Sequence, residues 1–268
     1  MLRQTLDALA RSSPRFRRAM IRTWYESLVV LDRNKRICFM NYGYSEGDPA
    51  DTLSLSSEES TNRYAIQLYH YLAASTDLMD QQVVEIGSGR GGGAAYVSRT
   101  FKPRSMLGID ISKNAVGFCN AYYSQPNLSF SHGDAENIPL ADASVDAVIN
   151  VESSHCYGSM ERFLGGVRRI LRPGGHFLFA DHRDEEQLPL LRRQFEAAGF
   201  TTVTETDITP NVVKALELDN ERKRELIQKT LPRVLWHEAE EFAALVGTRA
   251  YESFSSGASR YVGFVLKS

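Results

Sequence analysis

The chain has few cysteines, no long apolar run and almost no net charge, and each of these excludes a class of protein. Its three cysteines, Cys38, Cys119 and Cys156, are scattered over 268 residues. That spacing excludes a disulfide framework and a cysteine-rich zinc site, and it fits a reducing compartment. No apolar run approaches the roughly 20 residues that a membrane-spanning helix needs, and the amino terminus lacks a secretory hydrophobic block. The sequence therefore predicts a soluble, cytoplasmic protein without a transmembrane segment.

The charge balance argues against nucleic acid as a partner. Lysine and arginine total 31 against 33 aspartates and glutamates, for a formal net charge of −2, which gives no general affinity for polyanions. Residues 1–31 are predicted to be helical and carry six arginines against two acids. We interpret this stretch as a docking helix with a solvated basic face; transient contact with anionic lipid is the alternative. The oligomeric state stays open, with a homodimer as one option.

Short β-rich runs alternate with helical patterns from about residue 82, which is typical of βαβ units and a parallel sheet with helices on both faces. The predicted strands cover 83–86, 105–109, 128–131, 145–151, 176–180, 201–206 and 259–266. The predicted helices between them cover 91–101, 112–123, 159–171 and 187–198. We expect residues 1–75 to form an amino-terminal helical or lid segment, with a second helix over 60–74. Residues 76–268 form the main domain, with a helical cap inserted at about 211–246.

One glycine-rich loop carries most of the functional information. The predicted strand Val83–Ile86 leads into Gly87, and the chain then opens a helix. Glycine permits positive φ and lets a ligand approach the backbone, so the loop indicates a ligand at the carboxyl end of the strand. Gly87, Gly89 and Gly92 fit G-x-G-x-x-G, the dinucleotide fingerprint. The same loop fits E-x-G-x-G-x-G, the pattern of S-adenosylmethionine-dependent methyltransferases, and it does not decide between the two cofactors.

The motifs that follow the loop favour the second cofactor. In order they are Gly108-Ile-Asp110, Gly133-Asp-Ala-Glu-Asn-Ile-Pro139, Asp146 and Leu171-Arg-Pro-Gly-Gly175. Over residues 80–182 this series resembles the class I S-adenosylmethionine-dependent methyltransferases. The resemblance implies an α/β fold with a Rossmann-like, doubly wound sheet of seven strands, six parallel and one antiparallel. Leu171–Gly175 would be a structural turn into strand five.

The resemblance also assigns residues to the cofactor. Glu85 would order the glycine turn and the methionine amino group, Asp110 would bind the ribose, and Asp134 would hold the adenine with the Ala135 amide. Tyr42 and Tyr44 could offer an aromatic face to the sulfonium charge, or they could merely anchor the amino-terminal segment. The complete expected set for S-adenosylmethionine, whose product is S-adenosylhomocysteine, is Glu85, Gly87, Ser88, Gly89, Asp110, Ile111, Asp134, Ala135, Glu136, Tyr42 and Tyr44.

Two residues at strand ends are candidates for catalysis. Methyl transfer to a hydroxyl needs aligned reactants and removal of a proton. Small-molecule O-methyltransferases resemble this chain in having a histidine after strand four and an aspartate after strand five. His155 is therefore the expected general base, and Asp181 would orient it or bind the acceptor hydroxyl. Weaker candidates for substrate contact are Tyr157, His182 and Glu152. Because Asp181 has no obvious acidic companion at the strand ends, we predict no metal.

A finer resemblance concerns the acceptor. It rests on Asn41-Tyr-Gly-Tyr44, Asn62-Arg63, Val151–Tyr157, Asp207–Val212 and the Tyr251 to Tyr261 segment. These look like a subgroup that contains the phthiotriol and phenolphthiotriol dimycocerosate, fatty-acid and natural-product O-methyltransferases. The resemblance implies a small, hydrophobic, hydroxylated acceptor, such as a polyketide, lipid or aromatic metabolite of secondary metabolism. Methylation of a carboxyl group, a carbon or a nitrogen stays open, and an NAD-dependent oxidoreductase is the alternative from another class.

Overall fold

The computed structural model describes residue 32 and residues 37–47 and 53–268. The helix predicted over residues 1–31, with its basic face, lies outside these residues. Within the described part of the chain, every helix is too short or too polar to cross a membrane.

Helices and strands alternate through most of the described chain. The strands are β1 (Gln82–Ile86), β2 (Ser105–Asp110), β3 (Leu128–His132), β4 (Val145–Val151), β5 (Leu171–Asp184), β6 (Thr201–Asp207) and β7 (Ser259–Lys267). The helices are α1 (Ser57–Ser60), α2 (Arg63–Ala73), α3 (Gly92–Phe101), α4 (Lys113–Tyr122), α5 (Met160–Ile170), α6 (Leu188–Ala197), α7 (Thr209–Thr230), α8 (Trp236–Phe242) and α9 (Arg249–Ser255).

The strands form one sheet in the order β3-β2-β1-β4-β5-β7-β6. Only β7 runs antiparallel to its neighbours, β5 and β6, which confirms the predicted fold of six parallel strands and one antiparallel strand. The strand order reverses between β1 and β4, which pair directly. In doubly wound sheets a ligand binds outside the carboxyl ends of the strands at this switch point, so the fold places the glycine loop and the end of β4 on either side of one crevice.

Alternate residues of the central strands face two hydrophobic layers. Val83 packs into one cluster with α2 and α3, whereas Val84 and Ile86 pack into the other with α5 and α6. This follows from the two-residue period of a strand buried on both faces. Because α2 belongs to the same core as β1, the described part of the amino-terminal segment is built onto the sheet domain. The domain boundary at residue 75 stays a prediction.

Strand β5 is longer than predicted. The expected strand was 176–180, with Leu171–Gly175 as a turn, but β5 runs from Leu171 to Asp184. Val145 pairs with Leu171 and Ala147 with His176, so four residues of β5 form a bulge between these two pairs. Gly174, with φ of +79°, allows the bend. At the other end β5 continues because residues as far as Asp184 pair with β7. The bounds of the remaining strands, and of the helices predicted between them, agree with the predicted bounds within one residue.

Between β6 and β7, where a helical cap is expected at about 211–246, the chain forms three α-helices and one short 3-10 helix, Arg233–Leu235. Helix α7 begins at Thr209 and ends before Pro232, which cannot donate a helical hydrogen bond and forces the preceding residue to extend. Helices α8 and α9 follow, and α9 reaches Ser255. Ile227, Leu231, Ala239 and Leu245 form a small core of the cap, against which Met40 packs. The cap is thereby joined to the segment 37–47.

The contact between α2 and α3 gives a stability prediction. A Cβ at Gly93 would meet the Tyr69 ring at 1.9 Å, whereas a Cβ at Gly117 of α4 would meet nothing within 4 Å. Gly93→Ala should therefore lower the free energy of unfolding by about 1–3 kcal/mol through overpacking. The control Gly117→Ala should leave it unchanged or raise it by up to about 1 kcal/mol. Urea unfolding measures both; equal effects would mean that α3 is not packed closely on Tyr69.

Candidate active site

The glycine turn after β1 is a backbone conformation that other residues adopt only with strain. Gly87, Gly89 and Gly91 all have positive φ, of +80°, +51° and +77°. The amides of Gly87 and Ser88 donate to the carbonyl oxygen of Ile109 at 2.8 and 3.1 Å. A Cβ at Gly87 would lie 2.0 Å from the Ser153 hydroxyl oxygen. The turn therefore fits tightly between β2 and the segment that follows β4.

Acidic side chains stand beside this turn. The Asp110 carboxylate, at the end of β2, accepts the Gly89 amide at 2.8 Å and the Ser112 amide at 2.8 Å. Asp134, in the loop after β3, accepts the Glu136 amide at 2.9 Å. Both residues therefore bring a carboxylate to the edge of the turn.

Glu85 lies inside the sheet domain beneath the turn. It is fully buried, and the Tyr69 hydroxyl donates to its Oε1 at 2.6 Å. Its Oε2 has no hydrogen-bond partner among the described residues. Burial, with Asp110 adding to it, raises the pKa of Glu85 to about 7. A buried acceptor without a donor is costly, and the orphaned oxygen therefore indicates a missing donor.

An open cavity of about 1030 Å³ lies over the turn. Nine predicted residues line it: Gly87, Ser88, Gly89, Asp110, Ile111, Asp134, Ala135, Glu152 and Tyr157. Further lining residues that the sequence reasoning missed include Met40, Asn41, Tyr69, Arg90 and Cys156. Met40, Asn41 and Tyr69 come from a loop and a helix that carry no cofactor motif, whereas Arg90 lies within the glycine motif and Cys156 in the segment after β4. From that loop the sequence predicts Tyr42 and Tyr44 as cofactor contacts instead.

Besides Glu85 beneath the turn, four expected cofactor or substrate residues lie outside the cavity: Tyr42, Tyr44, Glu136 and His182. Tyr44 is buried and stacks on Tyr71 with ring centroids 4.6 Å apart. Tyr42 packs on His182 and lines a second cavity. Glu136 turns away to accept the Gly158 amide at 2.9 Å. None of these four lines the cavity over the glycine turn. For Tyr42 and Tyr44 the geometry therefore matches the anchoring alternative.

His155, in the turn after β4, meets Asp181, which lies within β5 and not after it as expected. His155 Nδ1 lies 2.8 Å from Asp181 Oδ1, and the His155 amide donates to Oδ2 at 3.0 Å. The Ser154 hydroxyl, the His182 amide and the Arg183 guanidinium also surround this carboxylate, at 2.6, 2.8 and 3.2 Å. The Asp181 side chain is fully buried, while 26% of the His155 side chain is exposed. The carboxylate thus takes part in four hydrogen bonds and one ion pair, and the His155 ring is partly exposed.

The electrostatics of this pair are asymmetric. Burial opposes ionisation of Asp181, but the positive charges of His155 and Arg183 outweigh it and hold its pKa well below the usual value. Burial also opposes charge on the His155 ring, and Cys156 and Asp181 outweigh it, so that the pKa of His155 is raised well above its usual value. With Asp181 ionised, Nδ1 of His155 must carry the hydrogen of their bond.

Glu152 is a second acid beside the pair, and it is half-buried. It follows β4 with φ of +48°, a strained conformation for a residue other than glycine. Its Oε2 accepts the Tyr42 amide at 2.8 Å and the Tyr261 hydroxyl at 3.0 Å. Burial raises its pKa to about 7, against the opposing effects of these donors and of His155. Sequence reasoning placed Glu152 among weak substrate contacts and missed that it interacts electrostatically with Asp181.

That no metal ion binds beside Asp181 remains a prediction. His155, Asp181 and His182 bring potential ligand atoms within 4.8 Å of one another, a grouping that the sequence reasoning overlooked. Both oxygens of Asp181, however, already accept N–H or O–H donors. These N–H and O–H donors stabilise the Asp181 carboxylate as a partner of His155 rather than as a ligand of a metal ion.

The second cavity, of about 760 Å³, lies under the cap. Phe39, Met40 and Asn41 line both cavities and form the wall between them. The other lining residues come mainly from α2, α7 and α8 and include Leu226, Ile227, Leu231, Ala239, Phe242 and Ala243. The fold therefore holds a polar-edged cavity at the glycine turn and an apolar cavity next to it.

Comparisons with known proteins agree with this arrangement. Residues 84–179 match the family described as a methyltransferase domain. The chain is 35% identical to the phthiotriol/phenolphthiotriol dimycocerosates methyltransferase of Mycobacterium tuberculosis (strain ATCC 25177 / H37Ra), over 96% of this chain and 94% of that protein. The chain belongs to the S-adenosylmethionine-dependent methyltransferases.

Two further proteins are similar to this methyltransferase. The fatty-acid O-methyltransferase of Mycolicibacterium smegmatis is 36% identical over 84% of this chain and 81% of that protein. The structure of a geranyl diphosphate methyltransferase in complex with S-adenosylmethionine shares the fold, with a TM-score of 0.63 at 17% identity, covering 86% of this chain and 99% of that one.

The residues of the methyltransferase fit S-adenosylmethionine. Ser88 Oγ and Asn41 Oδ1 are buried without a hydrogen-bond partner among the described residues, and both residues line the first cavity. Asp110 and Asp134 stand where hydroxyl and amino donors of a nucleoside would meet carboxylates. These four residues, with the backbone of the glycine turn, would hold the cofactor, while Glu85 would act from beneath the turn.

Asp110 gives the prediction for cofactor binding. Asp110→Ala should weaken S-adenosylhomocysteine by about 10- to 100-fold, because the site loses charge-assisted hydrogen bonds worth about 1.5–3 kcal/mol. Calorimetry measures the affinity. The control is Asp142→Ala, since Asp142 is exposed and pairs with Arg169. Unchanged affinity in Asp110→Ala would remove this residue from the site.

Proposed function

We propose that this methyltransferase transfers a methyl group to a hydroxyl oxygen of a small hydrophobic molecule, with His155 as the general base and Asp181 as its positioning residue. The observation that carries the proposal is the 2.8 Å contact between His155 Nδ1 and Asp181 Oδ1, next to the cofactor cavity. Cys156, the residue that directly follows His155, lines that cavity. The ring is thereby held at the edge of the site.

The chain supplies alignment and proton removal. When bound, S-adenosylmethionine supplies an electrophilic methyl group on a positively charged sulfur. The Asp181 carboxylate holds the hydrogen of His155 on Nδ1, which leaves the lone pair of Nε2 for the acceptor. As the oxygen–carbon bond forms and the sulfur–carbon bond breaks, Nε2 takes the hydroxyl proton. The negative charge of Asp181 stabilises the imidazolium that results.

The apolar cavity supports a hydrophobic acceptor. Most of its lining side chains are aliphatic or aromatic, which is the composition of sites for apolar ligands. The names of two relatives, one acting on phthiotriol dimycocerosates and one on fatty acids, agree with a lipid-like acceptor. Our proposal includes a polyketide, lipid or aromatic metabolite as acceptor and the cytoplasm as the location. Homodimer formation and membrane contact through residues 1–31 stay predictions.

The alternatives differ in what they require of His155. A carboxyl acceptor is ionised at neutral pH and needs no base, so that His155 would then serve as a hydrogen-bonding clamp. Carbon and nitrogen acceptors would use the same cofactor cavity. The dinucleotide alternative is not retained, because the chain belongs to the methyltransferases.

A direct assay tests the reaction. The protein is incubated with S-adenosylmethionine and a panel of hydroxylated hydrophobic molecules, together with matched carboxylic acids and amines. Mass spectrometry should detect a methyl ether on a hydroxylated member and an equal amount of S-adenosylhomocysteine. Methylation of acids or amines alone would contradict hydroxyl transfer.

The base can be tested by mutation. His155→Ala should lower turnover by roughly 10²–10⁴-fold, the usual range for loss of a general base. Its affinity for S-adenosylhomocysteine should hardly change, because His155 does not line the cofactor cavity. His237→Ala is the control, since His237 is exposed on the cap. Turnover of His155→Ala within about threefold of the wild type would leave positioning alone as the catalyst.

The raised pKa of His155 predicts the pH dependence. Only the deprotonated ring can take a proton, so turnover should rise with pH through an ionisation above the usual range of histidine. Asp181→Asn removes a charge that raises this pKa. The rising part of the pH–rate profile should therefore move to lower pH, and the maximum rate should fall. Rate profiles over pH measure both; a limb that stays in place in Asp181→Asn would show that the carboxylate does not act on His155.

A further inference from the structure

We propose that the Glu152 carboxylate is the counter-charge for the sulfonium of S-adenosylmethionine, and that it attracts this charged methyl donor more strongly than the neutral product S-adenosylhomocysteine. The inference concerns the cofactor of the family and does not depend on which acceptor atom is methylated. Binding of the cofactor and its analogues tests it without methyl transfer.

The side chains around the cofactor cavity carry more negative than positive charge. Three acids line it, Asp110, Asp134 and Glu152. The family resemblance assigns the first two to the ribose and the adenine, whose hydroxyl and amino groups are neutral donors. Arg90 is the only lysine or arginine among the described residues that lines the cavity, and it pairs with Asp32 at 2.8 Å. The third acid therefore has no part in nucleoside binding, and its charge suits a cationic ligand.

Glu152 uses only one of its carboxylate oxygens to hold the fold. Its Oε2 accepts the Tyr42 amide and the Tyr261 hydroxyl, and within the described part of the chain these are the hydrogen bonds of the side chain. The residue is half-buried and lines the cavity, so that Oε1 is left for a ligand. A partly desolvated carboxylate is unfavourable without a donor or a positive charge beside it.

Two cations act on Glu152 from outside the cofactor cavity. The charge of His155 favours the ionised form of Glu152, against the opposing effect of Asp181, and the buried Lys223 of α7 interacts with it electrostatically. His155 Nδ1, however, bonds to Asp181, and Lys223 Nζ donates to the Tyr42 carbonyl oxygen at 3.0 Å. Neither cation lines the cofactor cavity. They therefore favour the negative charge of Glu152 and leave the side that faces the cavity to the cofactor.

The strand order places Glu152 towards the reacting end of the cofactor. Asp134 follows β3, Asp110 ends β2 and Glu152 follows β4, in a sheet whose order is β3-β2-β1-β4 on this side. A nucleoside held by the two aspartates directs the rest of the cofactor past the glycine turn towards β4. Tyr42, to which Glu152 bonds, directly follows Phe39–Asn41, the wall that the two cavities share. Glu152 therefore lies on the side of the cofactor cavity that adjoins the second cavity.

Methyl transfer removes the charge that Glu152 attracts. The sulfur–carbon bond breaks with its electron pair staying on sulfur, so the sulfonium becomes a neutral thioether. The attraction between opposite charges is strong in a half-buried site, and it is present for the donor and lost for the product. Glu152 therefore contributes to the affinity for the donor and not to that for the product.

Binding of three ligands to Glu152→Gln tests the inference. S-adenosylmethionine carries a sulfonium, sinefungin carries an ammonium in the corresponding place, and S-adenosylhomocysteine is neutral there; their nucleoside and amino-acid parts are the same. The glutamine keeps an oxygen for the Tyr42 amide and removes only the charge. Calorimetry is done above the Glu152 pKa of about 7. The affinities for S-adenosylmethionine and sinefungin should fall by about 10- to 100-fold, and that for S-adenosylhomocysteine should stay within about threefold.

Two control variants separate charge from structure. Glu161→Gln removes an exposed carboxylate of α5 and should change none of the three affinities. Tyr261→Phe removes one hydrogen bond to Glu152 but leaves its charge, so the ratio between the affinities for sinefungin and S-adenosylhomocysteine should be that of the wild type. If Glu152 only held Tyr42 in place, all three ligands would weaken together in Glu152→Gln.

Three results would overturn the inference. An equal loss for all three ligands in Glu152→Gln would assign Glu152 to a part of the cofactor that they share, or to the fold. Unchanged affinity for S-adenosylmethionine and sinefungin would show that the charge does not act on the cofactor. A loss for sinefungin alone would show a hydrogen bond to its ammonium and no attraction of the sulfonium. The proposed hydroxyl transfer fails separately, because it is judged by methyl ether formation and not by these affinities.

Discussion

The buried carboxylate of Asp181 is the group on which the catalytic end of the sheet depends. A carboxylate without solvent is unstable unless donors surround it, and here those donors come from the loop after β4 and from β5 itself. The contacts that stabilise this one charge therefore fix the carboxyl-terminal parts of β4 and β5 relative to each other. The same contacts fix the tautomer of His155, so that the interaction that stabilises the buried charge is also the one on which the proposed base depends.

A second constraint is the segment 37–47, which is held between the sheet and the cap. Tyr42 is bonded by Glu152 from the sheet side and by Lys223 from the cap side. Met40 contacts the small core of the cap, and Asn41 bonds to α2 through the Ala65 carbonyl at 3.3 Å. Because the wall between the cavities belongs to this segment, the position of the segment determines where the two cavities adjoin. Of the two charged anchors of Tyr42, Lys223 is buried and Glu152 is half-buried, and each has a pKa displaced toward its neutral form.

Motifs that are contiguous in the chain could be predicted from the sequence. The glycine turn, Asp110 and Asp134 follow successive strands, and parallel topology brings such positions to one edge. The pair His155 and Asp181 could be anticipated in the same way, since β4 and β5 are neighbours. The bulge in β5 could not, because Leu171–Gly175 has the composition of a turn whether or not the residues on either side of it pair.

The missed residues depend on contacts that are distant in the chain. Lys223 and Tyr42 are separated by 181 positions, and no pattern in α7 distinguishes this lysine from the exposed Lys229. Tyr44 is an aromatic residue, as expected for a lid over the cofactor, but it stacks on Tyr71. Tyr71 belongs to a helix, and no sequence pattern predicts that this helix packs on the loop. Propensity and periodicity describe neighbours within one element, whereas these positions are decided by how the cap and the amino-terminal segment pack on the sheet.

The central claim is that Asp181 holds His155 as a base with its hydrogen on Nδ1. Nitrogen-15 NMR of the imidazole, recorded over a pH titration with His155→Gln to assign the signals, tests this directly. We expect the His155 ring to titrate well above the usual histidine pKa and, once neutral, to carry its hydrogen on Nδ1. A ring that titrates at or below the usual value, or whose neutral form carries the hydrogen on Nε2, would contradict the account.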